Sequence, residues 1–206
     1  MKKVLFLTAA IAFLSGTYAN AQIQIGAQGS YLKGLGDNKS SLWGGGAHAK
    51  FYVGQHLAFG GVVRVYPKNT SSETIGGVTY TSGDYITNVS GSLDILLGKK
   101  DDLIQPYIGA DAGASINNHT VTSSNGSGQA AVNNNKTFFL LSPKAGVNLG
   151  LLPSFGVFGQ AQYNATFGDG KNLNSSTFPS SFNTKPVDKY FTFDIGLYFR
   201  LTGAKK

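Results

Sequence analysis

The sequence predicts an all-β protein: eight antiparallel strands in up-and-down order, closed into a barrel. Three observations predict it. Polar and apolar residues alternate with a period of two in eight successive segments, as strands with two chemically different faces require. The links between segments are short and long in turn, so one end is plain and the other elaborate. Every charged residue inside the eight segments falls on the same face. Eight strands can close on themselves and leave no edge.

The segments follow in order. The first places Ile23, Ile25, Ala27, Gly29 and Tyr31 on one face and Gln24, Gln28 and Ser30 on the other. The second sets Trp43, Ala47, Ala49, Phe51 and Val53 against His48, Lys50 and Tyr52. The third sets Leu57, Phe59, Val63 and Val65 against Arg64 and Tyr66, and the fourth sets Tyr85, Val89, Leu93, Ile95 and Leu97 against Asn88, Ser90, Ser92 and Asp94. The fifth sets Ile108, Ala110, Ala112, Ala114 and Ile116 against Tyr107, Asp111 and Ser115. The sixth sets Phe139, Leu141, Ala145, Val147 and Leu149 against Ser142, Lys144 and Asn148. The seventh sets Phe155, Val157, Ala161, Tyr163, Ala165 and Phe167 against Gln160, Gln162 and Asn164. The last sets Phe191, Phe193, Ile195, Leu197, Phe199 and Leu201 against Thr192, Asp194, Tyr198 and Arg200.

The links at 54–56, 98–104 and 150–154 are short; those at 67–84, 117–137 and 168–189 are long, and 33–41 is intermediate. The stretch 125–135 (NGSGQAAVNNN) reads as a flexible polar loop by composition.

Alternation does not say which face is outside; the chemistry of the polar face does. It holds Lys50, Arg64, Asp94, Asp111, Lys144, Asp194 and Arg200, a density of charge too low for a soluble surface. Four bases and three acids suit a confined interior where they pair, and the Gly, Ser and amide residues beside them suit a narrow lumen. On the apolar face, aromatics lie near strand ends: Tyr31, Trp43, Tyr85, Phe139, Phe155, Phe167, Phe191 and Phe199. Membrane barrels carry such girdles at their interfaces. The apolar face is therefore expected outside, against lipid, and the barrel is read as transmembrane.

Composition agrees. The chain has 206 residues, 28 Gly, no Cys and 13% charged residues, against about 25% charged in an average soluble domain. The absence of Cys excludes disulfides, a thiol nucleophile and a Cys-based zinc site. The net charge of +7 is scattered rather than clustered, unlike a nucleic-acid surface. Residues 1–21 read as a cleaved signal peptide, with Lys2 and Lys3 before an apolar run from Val4 to Leu14 and a small-x-small site at Ala19-Asn20-Ala21. That run is about half the ~20 residues a spanning helix needs. Residues 22–206 remain as one barrel domain.

Two segments carry a resemblance. Residues 104–116 (IQPYIGADAGASI) give a Pro-Tyr-x-Gly-Ala entry into a Gly/Ala strand, and the segment from Tyr190 to Leu201 (YFTFDIGLYFRL) is an alternating aromatic terminal strand. With the eightfold alternation over about 23–201, the chain resembles the eight-stranded outer-membrane barrels of Gram-negative bacteria, the porin-like family that includes the membrane domain of outer-membrane protein A. The chain departs from that pattern by continuing through Thr202 to Lys206 instead of ending in an aromatic. The resemblance implies an integral outer-membrane location reached by export, short periplasmic turns and long extracellular loops. It implies contact with outer-membrane lipid and lipopolysaccharide, and a terminal strand read by the barrel-assembly machinery.

The expected function is non-enzymatic: a structural or surface-interaction barrel, acting through its loops, with a lumen plugged by the seven charges. A narrow ion or small-solute channel is the alternative, and a lipid A-modifying enzyme a further one. For catalysis, His119 near Ser123 and Ser124 is the candidate base, with Asp84 or Asp169 to reach it from other loops; His48 lies on the lumen face and His56 in a short turn. Dispersed Asp37, Asp84, Asp101, Asp102 and Asp169 argue for no metal, and nothing points to a cofactor. Phe178, Pro179, Phe182 and Pro186 mark the last long loop as a binding surface or a cover for the barrel mouth.

Overall fold

The computed structural model describes residues 22–35, 41–67, 71–99, 102–125, 128–168 and 189–201. The leader assigned to 1–21 lies outside the described residues, as do Asp37, Asp101, Asp169, and Phe178, Pro179, Phe182 and Pro186 of the last loop.

The described residues form β1 (Gln22–Gly34), β2 (Ser41–Val53), β3 (Leu57–Pro67), β4 (Ser71–Ile75), β5 (Val78–Leu96), β6 (Ile104–Asn125), β7 (Gly128–Leu152), β8 (Phe155–Phe167) and β9 (Lys189–Leu201). The sheet order is β3-β2-β1-β9-β8-β7-β6-β5-β4, and β3 also pairs with β5. All pairings are antiparallel. The β3–β5 ladder, from Leu57 opposite Ile95 to Pro67 opposite Tyr85, bypasses β4 and closes eight strands into a barrel.

Alternation sets which side chains point where. Apolar positions face outward: Ile25, Val63, Val89, Leu93, Ile108, Leu141 and Ile195 are exposed, Ile195 at 74%. Polar positions face the lumen and are buried, among them Gln24, Arg64, Asp111 and Gln162. The molecule inverts a soluble barrel, with its apolar belt outside.

Lumen glycines make room for rings from the neighbouring strand. A Cβ on Gly146 would lie 2.6 Å from the Tyr107 ring, and one on Gly196 2.6 Å from the Phe158 ring. Each glycine sits directly opposite its aromatic in the ladder.

Two expected loops are corrected. The link 117–137 is largely strand: β6 runs to Asn125 and β7 starts at Gly128, paired without a break from Ile104 opposite Leu149 to Asn125 opposite Gly128. The 125–135 stretch, read as a flexible loop, thus lies mostly in this hairpin. Its polar composition reflects height above the apolar belt; the ladder itself satisfies the backbone groups. The link 67–84 likewise holds β4, turned back onto β5 through Gly76 and Gly77. Both glycines have positive φ, 60° and 79°, the primed two-residue turn that matches strand twist. The barrel keeps its eight strands, with β4 as a ninth outside it.

Candidate functional site

The lumen is filled in layers. Near the short-turn end, Arg200 of β9 lies 5.0 Å over the Tyr52 ring and 4.9 Å over the Tyr198 ring. Its guanidinium donates to Gln24 Oε1 at 3.2 Å, to the Tyr52 hydroxyl at 3.3 Å, and to Gln105 Oε1. The Tyr52 hydroxyl donates to Gln24 Oε1 at 2.6 Å, and Gln24 Nε2 lies 3.2 Å from His48 Nε2. The His48 ring meets Phe158 edge-on with centroids 5.0 Å apart.

The middle layer is ionic. Lys50 meets Asp94 at 2.7 Å; Lys144 meets Asp94 at 2.8 Å and Asp111 at 2.6 Å. Arg64 meets Asp111 at 3.2 Å and Asp194 at 3.0 Å. These contacts join residues of β2, β3, β5, β6, β7 and β9 in one chain across the lumen. Amides and hydroxyls complete it: Arg64 donates to Gln162 Oε1 at 2.8 Å, Lys144 to Ser92 Oγ at 2.6 Å, and Gln160 to Asp194 at 2.6 Å. The Tyr107 hydroxyl donates to Gln160 Oε1 at 2.7 Å while its ring lies 5.1 Å from Lys50 Nζ. Buried charges are retained at tolerable cost only when paired and hydrogen-bonded in this way.

Above it lies a neutral layer. Asn164 accepts from Ser142 at 2.8 Å and from Gln162 at 2.7 Å, and donates to Thr192 at 2.8 Å. Asn88 donates to the Tyr190 hydroxyl at 2.8 Å.

Apolar side chains also cluster in the lumen, those at the short-turn end beside the Arg200 layer, with which they share Tyr52. Leu32, Leu42, Tyr66, Ile86, Leu140 and Tyr190 pack at the long-loop end, and Tyr52, Ala58, Leu96 and Tyr107 at the short-turn end. A gap remains between Gln28, His48, Lys50, Arg64, Ser92, Lys144 and Gln160, with no space for a water-sized sphere. Sequence reasoning missed these clusters and the amides linking the charges. Their signal was the Leu and Tyr at polar-face positions near strand ends.

Of the seven lumen charges named from sequence, Lys50, Arg64, Asp94, Asp111, Lys144 and Asp194 share the ionic chain, and Arg200 belongs to the Tyr-lined layer below. Of the named girdle aromatics, Tyr31 and Trp43 pair with centroids 4.8 Å apart and Phe139 with Phe167 at 6.3 Å, both toward the long-loop end. Phe155 pairs with Phe199 at 5.0 Å toward the other end. Tyr85 and Phe191 are exposed, and Phe191 meets Tyr163 edge-on at 5.4 Å.

His56 Nδ1 lies 3.3 Å from the Leu96 carbonyl in its turn. The β5–β6 register sets His119 opposite Asp84 and Ser123 opposite Tyr80. Among the described residues, no group of three or more His, Cys, Asp or Glu side chains is arranged to hold a metal ion.

The fold is that of the eight-stranded outer-membrane β-barrels. A major outer membrane protein from Thermus thermophilus is similar with a TM-score of 0.58 at 14% identity, over 88% of this chain and 99% of that one. Ail, the attachment invasion locus protein of Yersinia pestis, is similar with a TM-score of 0.50 at 14% identity, over 89% and 99%. The outer membrane protein OprG from Pseudomonas aeruginosa is similar with a TM-score of 0.50 at 10% identity, over 90% and 97%. No protein-family profile matches this chain, and no curated protein sequence matches it.

Proposed function

We propose that this chain is an integral outer-membrane protein with a structurally plugged lumen. Its work is done by the surface it raises above the membrane at the long-loop end. It is non-enzymatic, it is exported by the signal peptide at 1–21, and its short turns face the periplasm. The observation that carries the plugged-lumen reading is the continuous, buried ionic chain from Lys50 to Asp194 across the lumen. The exposed apolar exterior supports the membrane reading, because such a belt is costly in water and matches hydrocarbon. On β9, Phe191, Phe193, Ile195, Leu197, Phe199 and Leu201 all face out, and this alternating terminal strand is what the barrel-assembly machinery would read.

The test is conductance of the refolded barrel in a planar bilayer, beside an Arg64→Ala/Asp194→Ala variant. Heat-modifiable gel migration establishes folding in each. A silent wild type supports the plug. Discrete openings in the wild type, altered in size by the variant, establish the channel reading instead. The enzyme reading is tested by lipid A profiles. A change on deletion that wild type reverses and His119→Ala does not would overturn the non-enzymatic assignment.

A further inference from the structure

Strand β1 begins at Gln22, which stands opposite Tyr52 of β2. Gln22 is also the residue that follows the small-x-small site Ala19-Asn20-Ala21. On the export reading, cleavage there puts the amino terminus of the mature chain directly on the first rung of the barrel wall.

The surroundings of that rung are cationic. Alternation puts Gln22 on the lumen face with Gln24. Gln24 stands opposite Lys50 on β2 and opposite Arg200 on β9. The Arg200 guanidinium lies 5.0 Å over the ring of Tyr52 and donates to its hydroxyl at 3.3 Å. It therefore leans toward the residue paired with Gln22. Lys50 is engaged by Asp94 at 2.7 Å. An α-ammonium on Gln22 would add a further positive charge about 7 Å along the strand from the Gln24 rung. Like charges this close repel, and a strand end held against protein is screened less than open water. The ladder itself calls for a neutral N–H at this position, not a charged group.

A glutamine at a free amino terminus can remove that charge by itself, because it carries nucleophile and electrophile in one residue. The α-nitrogen attacks the side-chain Cδ and forms a C–N bond. The bond from Cδ to the side-chain nitrogen breaks, and that nitrogen leaves as ammonia with the proton the α-amine sheds. Atoms and electrons balance with no co-reactant, and the tether supplies the proximity. The product is a neutral lactam that keeps one N–H and offers no primary amine to an aminopeptidase. The step needs no access from outside, and the Gln22 amide oxygen, already buried, is retained as the lactam carbonyl. We propose that the mature barrel begins with a pyroglutamyl residue at position 22, formed by this closure. The proposal rests on the export reading above.

The test expresses the full chain in a Gram-negative host and takes the barrel from its outer membranes straight into denaturant. Intact mass and fragmentation of the N-terminal peptide read the terminus. Most molecules are expected to have the mass of residues 22–206 less one ammonia at harvest, with no growth of that fraction on storage. Stepwise Edman sequencing should be blocked until a pyroglutamyl peptidase exposes Ile23. The Gln22→Asn variant keeps an amide, but its shorter side chain would have to close a strained smaller ring. It should fold, shown by heat-modifiable migration, and begin with a free amine, whereas an acyl blocking group would persist on it. A free amine on Gln22 at harvest, a cyclised fraction that arises only on storage, or a blocked terminus in the Gln22→Asn variant would overturn the proposal. A chain that still carries residues 1–21, or that is cut elsewhere, would overturn the assigned cleavage, and the proposal with it.

Discussion

Arg64 on β3 and Asp194 on β9 meet across the lumen at 3.0 Å, with β1 and β2 between their strands in the sheet. Arg64 is 1% exposed and also holds Asp111 and Gln162. Arg64→Ala would leave two buried carboxylates short of a partner, although Lys144 still holds Asp111. The expected cost is about 3–5 kcal/mol, the range for breaking a buried pair. Urea unfolding of the barrel in lipid vesicles measures it. Adding Asp194→Asn should recover part of the loss; two simply additive losses would show that Arg64 and Asp194 are not coupled.

On the plugged-lumen reading, the ionic chain and the apolar cluster at the long-loop end obstruct the lumen in series. Tyr66→Ala/Leu140→Ala, which opens that cluster, should leave the bilayer silent. Joined to Arg64→Ala/Asp194→Ala, it should give more frequent openings than the charge variant alone. Conduction by the cluster variant alone would locate the block in the cluster.

Lumen and outward glycines should differ in tolerance. A Cβ on Gly146 meets the Tyr107 ring at 2.6 Å, whereas one on Gly61 finds nothing nearer than 3.8 Å. Gly146→Ala should cost about 1–3 kcal/mol by overpacking, and Gly61→Ala should stay within about 0.5 kcal/mol. Equal effects in the same unfolding assay would contradict the close ring-over-glycine packing.

The outer belt should show a depth profile. Ile195 lies in the middle of β9 and is 74% exposed, while Leu201 ends that strand. Ile195→Arg should cost about 2–4 kcal/mol in a bilayer and Leu201→Arg about 0–1 kcal/mol. Comparable penalties at the two positions would argue against a hydrocarbon layer centred on the belt.

The single Trp43, 74% exposed and packed against Tyr31, is a built-in depth probe. Brominated lipids with bromine near the headgroups should quench it more than lipids brominated at the chain ends, because girdle aromatics sit at the interface. The reverse order would move this end of the barrel into the bilayer centre.

Much of the architecture was legible in the sequence, because a strand's two-residue period writes its two environments directly into the chain. Ile25 against Gln24, or Phe193 against Asp194, assigns a face without any knowledge of neighbours. Strand number and antiparallel order follow from that period and from the link lengths, and the outward turn of the apolar face from the sparse charge and small side chains of the polar face and the aromatics near strand ends. Which residues meet was not legible. Arg64 and Asp194 are brought together by barrel closure and strand stagger, which no local pattern encodes. The apolar lumen clusters were hidden because Leu32, Leu140 and Tyr190 stand at lumen positions, where burial comes from side chains crossing the barrel. The upper hairpins were hidden because Asn- and Thr-rich segments read as loops until a neighbour's ladder satisfies their backbone. The sequence alone determined the faces; the tertiary structure decided the contacts, because contacts depend on the closed circumference and faces on a single strand.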